Sequence, residues 1–108
     1  MKKFTADFET ATWLPNETYV WAWAICEIGN PDNIIIDNNI DSFIDFCKKN
    51  PNSTLYFHNL KFDGEFIIHY LLKNGYTYFK DIDDKCDKSF TCLISSDGLF
   101  YSIDIIFK

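Results

Sequence analysis

The hydrophobic pattern of the chain changes near residue 40 from the two-residue period of a β-strand to the period of an α-helix, so the fold must combine sheet and helix. Before that point, three segments with strand-type composition are separated by short loops that contain proline or glycine: residues 4–10, 19–28 and 34–36. Strands joined in this way predict an antiparallel meander. Beyond it, apolar residues recur at helical spacing over residues 40–47, Asn39 can cap the helix, and Pro51 prevents its continuation.

The second half of the chain also alternates between strand and helix. Its predicted elements are a strand, a helix, a charged loop and the two strands of a hairpin, at residues 54–57, 62–74, 80–88, 89–95 and 99–107. Gly75 suits the position after a helix end, and Asp97-Gly98 suits a hairpin turn. The order β-β-β-α-β-α-β-β predicts an α/β fold, a mixed sheet with helices packed on it. Because the chain stops on a strand at Lys108, we expect this fold to be incomplete at its C-terminus.

Length and composition predict a single domain over residues 1–108. The chain is 47% hydrophobic and 19% aromatic, which is enough for one buried core, and each aromatic residue is expected there first. A net charge of −6 argues against a free-standing, sequence-independent DNA-binding protein, since such proteins usually carry a basic face. Carboxylates can still serve nucleic-acid chemistry when they hold divalent cations.

Cysteine usage and hydropathy predict the cellular compartment. The four cysteines form no C-x-x-C pair, so we expect reduced, buried thiols rather than a zinc site or disulfides. The N-terminus carries charges before any signal-type apolar run, and no stretch has the length of a transmembrane helix. We therefore expect a soluble, cytoplasmic protein without a membrane partner.

The first group of candidate functional residues is the triplet Asp7-Phe8-Glu9 on the first strand. Residues two apart in a strand face the same side, so both carboxylates project together while Phe8 faces the other way. Neighbouring carboxylates repel each other, and a divalent cation between them relieves the repulsion; hard oxygen ligands suit magnesium or manganese. The alternative in an acidic chain is an exposed strand edge without function.

The second group lies at the junction between the fourth strand and the second helix. His58 and Asn59 follow the strand, and Asp63 stands in the first turn of the helix, where the helix dipole favours a carboxylate. From this place a carboxylate can face the mouth of the sheet where Asp7 and Glu9 emerge. The alternatives are an Asp63 that only complements the dipole, an Asn59 that caps the helix, and a buried His58 at the strand end.

The two groups together are far more specific than either alone. Asp7-Phe8-Glu9-Thr10 resembles the first exonuclease motif of the DEDD proofreading nucleases, and the run Tyr-Phe-His-Asn-Leu-Lys-Phe-Asp-Gly over residues 56–64 resembles the second. This longer run is similar to that of the protein-primed, family-B-type DNA polymerases of phages, as are residues 20–23 and 101–105. The resemblance covers nearly the whole chain, but only the early part of a much longer polymerase. It implies an RNase H-like fold and a 3′–5′ exonuclease domain.

The resemblance also implies a role for each residue. Asp7 would bridge two Mg²⁺ or Mn²⁺ ions, Glu9 would bind the ion that activates water, and Asp63 would support the second ion. The residues implied to contact the 3′ end of single-stranded DNA, where aromatic stacking accepts any base, are Thr10, His58, Asn59, Phe62 and Phe66. The family further implies the rest of the polymerase, or a terminal protein, as a partner.

The third exonuclease motif of that family, Tyr followed by Asp four residues later, is missing here, because none of the six tyrosines has Asp at that offset. The fourth carboxylate ligand and the water-orienting tyrosine are therefore missing, and we expect weak exonuclease activity of this chain or none. His58 to Asp63 also spells the third motif of the histidine branch of these nucleases, but no suitable middle aspartate precedes it. Asp104 is expected to be an outward-facing polar residue rather than a substitute ligand. The competing hypothesis is a catalytically inactive RNase H-like module that binds nucleic acid or protein.

Overall fold

The fold is that of a computed structural model, which describes residues 2–14, 17–94 and 100–107. Its elements in chain order are β1 (Lys3–Leu14), β2 (Glu17–Glu27), β3 (Ile34–Asp37), α1 (Ile40–Lys49), β4 (Thr54–Phe57), α2 (Leu60–Lys73), β5 (Thr77–Tyr78), a 3₁₀ helix (Ile82–Asp84), β6 (Ser89–Ile94) and β7 (Phe100–Ile106). These elements form two compact units, a first unit of Met1–His58 and a second unit of Asn59–Lys108.

The first unit contains a four-stranded sheet in the order β3-β2-β1-β4. The strands β1, β2 and β3 form the predicted antiparallel meander, and β4 pairs with β1 in parallel. A parallel strand needs a crossover connection, and the segment that contains α1 supplies it. The predicted α/β fold with a mixed sheet is confirmed.

The second unit contains a sheet of its own, in the order β5-β6-β7, with β5 parallel to β6 and β6 antiparallel to β7. The predicted final hairpin is therefore confirmed as a strand pair, while its predicted Asp97-Gly98 turn lies outside the described residues. The helix α2 approaches β7 closely at Gly64, where an added Cβ would lie 3.0 Å from Cδ1 of Ile103. A Cβ at this position would require the end of the Ile103 side chain to move by a few tenths of an ångström.

Several element boundaries differ from the sequence prediction. The loop predicted over residues 11–16 is shorter, because β1 continues to Leu14 and pairs there with Glu17. The strand extends through threonine and tryptophan, residue types that favour sheet. Two register irregularities accommodate the shift in pairing between β1 and β2. The helix α2 begins at Leu60, two residues before the predicted start. The short β5 and the 3₁₀ helix were not predicted, because two or three residues show no period.

Alternating side chains of β1 and β2, together with α1, build the core of the first unit. Its buried apolar members are Phe4, Ala6, Phe8, Val20, Trp23, Ile25, Phe43 and Ile44. The expectation that aromatic residues belong to the core is wrong for five of the described residues, which are 40% to 49% exposed: Tyr19, Trp21, Tyr56, Phe62 and Tyr78. Their exposure leaves flat apolar surfaces available to a ligand.

The start of α1 is capped as the sequence predicts. The side-chain oxygen of Asn39 accepts a hydrogen bond from the backbone N–H of Ser42 at 2.8 Å. We expect Asn39→Ala to lower the free energy of unfolding by about 1 kcal/mol, because a backbone donor loses its partner. Urea denaturation followed by circular dichroism measures this loss.

Asn59→Ala is the matched control for that substitution. Asn59 also stands at a helix start, but its side chain makes no capping hydrogen bond. Its replacement should change the free energy of unfolding by less than about 0.5 kcal/mol. Equal losses for the two variants would contradict the capping role of Asn39.

The cysteines take the reduced form that the sequence predicts. All four are free, and burial raises the pKa of the Cys47 thiol to about 12. Cys86 is exposed and the other three cysteines are half-buried, so the expectation of buried thiols is wrong for Cys86, which stands in a polar loop. No helix in the described part of the chain is long and apolar enough to cross a membrane.

Candidate functional site

The carboxylates of Asp7 and Glu9 project from the exposed face of β1, while Phe8 between them is buried. The strand pairing explains why this segment is accessible. β4 pairs with β1 only as far as Ala6, which lies opposite Phe57. The carboxylates therefore lie just beyond the carboxyl end of β4, the position at which open α/β sheets bind their ligands.

Small side chains lie next to both carboxylates on the same face of the sheet. Asp7 is opposite Ala24 and Glu9 is opposite Ala22 across the β1–β2 pair. Directly opposite residues of an antiparallel pair share a face, so the neighbours that could cover the carboxylates are methyl groups. Among the described residues, neither carboxylate forms a salt bridge or a side-chain hydrogen bond. Their oxygens are therefore available to an external ligand.

A β-bulge follows the carboxylate pair. Glu9 is opposite Ala22, whereas Thr10 is opposite Val20, so Trp21 is the extra residue of β2. Bulges redirect side chains and are frequent beside functional sites. Thr10 is half-buried at this irregularity, and the side chain of Trp21 is 49% exposed.

His58 follows β4 directly and is exposed, so the alternative of a buried strand-end histidine is wrong. Its place is set by the parallel pairing of β4 with β1. The last pair of that ladder is Ala6 with Phe57, and the next residues along the two strands are Asp7 and His58. His58 thus belongs to the same end of the sheet as the carboxylate pair.

The remaining predicted residues lie on or beside α2, in the second unit. Asp63 is in the first turn of the helix and is only 4% exposed. Burial of a carboxylate is costly unless it is compensated, and Asp63 has an interaction within the chain, so its burial alone does not distinguish a metal ligand from a residue that complements the helix dipole. The alternative that Asn59 caps the helix with its side chain is wrong, because no such hydrogen bond forms.

Phe62 and Phe66 form an aromatic pair one helical turn apart. Their ring centroids are 5.4 Å apart in an edge-to-face arrangement. Phe62 is 47% exposed, and Phe66 is half-buried. An exposed ring that is supported by a second ring offers a firm surface on which a base can stack.

The predicted site residues thus divide between the two units. Those of the first unit are Asp7, Glu9, Thr10 and His58, and those of the second are Asn59, Phe62, Asp63 and Phe66. Within either unit, the described residues contain no group of three or more His, Cys, Asp or Glu side chains placed to hold a metal ion. The donors themselves fit a hard divalent cation, because all three predicted ligands are carboxylates.

Two phage polymerases show what this chain is similar to. The DNA polymerase of Bacillus phage Nf is 42% identical over 106 residues, which cover 98% of this chain and 18% of that polymerase. The DNA polymerase of Bacillus phage phi29 is 39% identical over 104 residues, or 96% of this chain and 17% of that polymerase. No sequence-family profile matches the chain.

Solved structures give the same result. The orthorhombic crystal form of phi29 DNA polymerase superposes with a TM-score of 0.87 at 34% identity and covers 99% of this chain and 18% of its own. The chain is homologous to the N-terminal region of phi29-like DNA polymerases. The complex of phi29 DNA polymerase with single-stranded DNA superposes with a TM-score of 0.84 at 35% identity, over 98% of this chain and 18% of that one. The predicted resemblance and fold are therefore confirmed, and the chain spans less than a fifth of the length of these phi29-like relatives.

Sequence reasoning missed two features of the site in this phi29-like chain. The extra residue Trp21 and the small neighbours Ala22 and Ala24 belong to β2, which carries no candidate ligand. The alternation Trp-Ala-Trp-Ala over residues 21–24 signalled the small neighbours but not the bulge, because it would place Trp21 on the buried face with Trp23. Alternation of this kind indicates one face with bulky side chains and one face with small ones.

Proposed function

We propose that this chain supplies metal-binding and 3′-end-binding residues of a 3′–5′ exonuclease, the proofreading activity of a phage DNA polymerase. The observation that supports the proposal most strongly is the pair of accessible carboxylates beyond the end of β4, in a chain homologous to phi29-like polymerases. The host cytoplasm is the compartment in which such an enzyme would act.

Asp7, Glu9 and Asp63 are the proposed ligands of Mg²⁺ or Mn²⁺. When bound, two such ions would activate a water molecule and stabilise the leaving 3′ oxygen of the hydrolysed phosphodiester. The chain's own contribution is negative charge from side chains on ordered elements, a strand for Asp7 and Glu9 and a helix start for Asp63. No Tyr-x-x-x-Asp occurs within residues 1–108, so these residues on their own do not supply a water-orienting tyrosine or a fourth carboxylate, and we expect weak activity from them alone.

The proposed contacts to the 3′ end of single-stranded DNA combine stacking and polar groups. Phe62 and Phe66 offer ring surfaces, and the exposed side chains of His58 and Asn59 offer polar groups near the strand end and the helix start. Thr10 at the bulge is a further proposed contact. Stacking on rings is independent of base identity, which suits an enzyme that must accept any mispaired nucleotide.

Cation binding is the measurement that tests this function, because trimming of DNA is expected to be weak. We expect the chain to bind Mn²⁺, as detected by the loss of the free-ion signal in electron paramagnetic resonance. A 5′-labelled single-stranded oligonucleotide should be shortened slowly from its 3′ end with Mn²⁺ and not at all with EDTA.

The outcomes separate the proposal from its competitor. A chain that binds single-stranded DNA equally well with EDTA, and binds no Mn²⁺, would be the inactive binding module instead. Glu65→Gln is the control for general charge effects. Glu65 is two residues from Asp63 on α2, and its side chain is exposed to solvent. The Mn²⁺ affinity of this variant should equal that of the unchanged chain.

A further inference from the structure

The residue between the two carboxylates is held by aromatic contacts on the core side of the sheet. Phe8 is 6% exposed, and Asp7 and Glu9 flank it on the opposite face. Its ring centroid lies 4.8 Å from that of Phe43 and 5.0 Å from that of Phe57, both edge to face. These separations are in the favourable range for aromatic pairs. The ring is therefore fixed from two sides, by α1 and by the end of β4.

Trp23 completes this packing from the neighbouring strand. It lies directly opposite Phe8 in the β1–β2 pair, and its ring centroid is 5.5 Å from that of Phe43. Its indole Nε1–H donates to the backbone oxygen of Asn39 at 2.8 Å and to Oγ of Ser42 at 3.0 Å, which ties it to the start of α1. The aromatic cluster consists of Phe8, Trp23, Phe43 and Phe57.

The strand beneath the carboxylates is held by its pairing with β2 and by the packing of Phe8. β1 pairs with β4 only as far as Ala6, so at Asp7 and Glu9 the strand has a ladder partner on the β2 side alone. The carboxylates themselves form no salt bridge or side-chain hydrogen bond with described residues. Their position therefore depends on the backbone of β1, and the backbone position depends on the packing of Phe8.

We propose that Phe8, locked in the aromatic cluster, is a positioning residue that sets the placement of the Asp7 and Glu9 carboxylates for cation binding. The inference rests on the proposed metal-binding function. A cation site tolerates ligand displacements of only about 0.5 Å. A flexible or smaller side chain at position 8 would let the strand shift by such amounts without unfolding the unit, because aliphatic residues keep the site apolar.

Phe4 provides a matched control on the same strand. It is buried on the same face, and its ring is edge to face with Phe46 of α1 at 5.4 Å. At Phe4 the strand pairs on both sides, with Glu27 of β2 and Leu55 of β4. Loss of this ring should weaken the core by a similar amount without moving the carboxylate pair.

The test is a Mn²⁺ titration of the full chain followed by electron paramagnetic resonance, together with thermal unfolding. We expect Phe8→Leu to raise the Kd for Mn²⁺ about tenfold, as for residues that orient metal ligands. Phe8→Leu and Phe4→Leu should lower the melting temperature by similar amounts. Phe4→Leu should leave the Kd for Mn²⁺ unchanged. If the leucine variant of Phe8 does not fold, Phe8→Met and Phe4→Met preserve more side-chain volume and give the same comparison.

The outcomes distinguish the inference from the function on which it rests. An equal change in Kd for the Phe8 and Phe4 variants would overturn the positioning role, because a general loss of core packing would then explain both. An Asp7→Asn variant measured in the same series tests the underlying function. If Asp7→Asn leaves Mn²⁺ binding intact, the proposed metal site itself is wrong; if it removes binding while the Phe8 variants bind normally, only the positioning role fails.

Discussion

Replacement of Asp7 by asparagine is expected to weaken Mn²⁺ binding by at least about 100-fold and to reduce trimming of single-stranded DNA to background. Residues that merely orient a metal ligand change affinity by about 10–100-fold, so loss of a ligand carboxylate should reach the upper end of that range or exceed it. Asparagine keeps the size of the side chain and removes only its charge. The fold should therefore persist, and the Mn²⁺ titration reports the loss of the ligand.

Asp104→Asn is the control for this prediction. Asp104 is also an exposed aspartate on a strand, β7, and the structure confirms that it faces outward. Its removal changes the net charge of −6 by the same single unit. Equal losses in both variants would show that Mn²⁺ is attracted by the general negative charge of the chain, and the assignment of Asp7 as a ligand would then be wrong.

The strand that carries the carboxylate pair could be predicted from sequence because its signal is local. Asp7 and Glu9 are two residues apart, and a strand period places such residues on one face whatever surrounds them. The structure confirms the alternation, with Phe8 buried and both acidic residues exposed. The cap at Asn39 and the left-handed Gly75, with a φ of 85°, are local signals of the same kind, and both are confirmed.

Features that depend on distant neighbours could not be predicted in this way. Asp63 is buried and Phe62, the residue before it in the same helix turn, is exposed. Helical periodicity alone does not say which side of the helix faces the core. The exposure of His58 depends on where the ladder of β4 ends. The third strand of the second sheet, β5, has only two residues, which is too short to show periodicity.

Replacement of Phe43 by alanine is expected to have the largest effect on stability. Its side chain is 2% exposed, and its ring meets those of Phe8, Trp23 and Phe57 at centroid distances of 4.8, 5.5 and 5.9 Å. Truncation of a buried phenylalanine costs about 3–5 kcal/mol, because apolar contacts are lost and a cavity remains. Domains of this size have a total stability of only about 5–15 kcal/mol, so a large part of it would disappear.

Thermal unfolding followed by circular dichroism measures this loss, with Tyr56→Ala as the control. Tyr56 lies on β4 next to Phe57, but its side chain is 49% exposed. We expect the Phe43 variant to melt at least about 12 °C lower, since each kcal/mol shifts the melting temperature of a chain this long by roughly 4 °C or more. The Tyr56 variant should lose less than about 1 kcal/mol, the span of strand preferences. A comparable loss in both would mean that the aromatic cluster does not hold the first unit together, and the packing that supports the carboxylate strand would have to lie elsewhere.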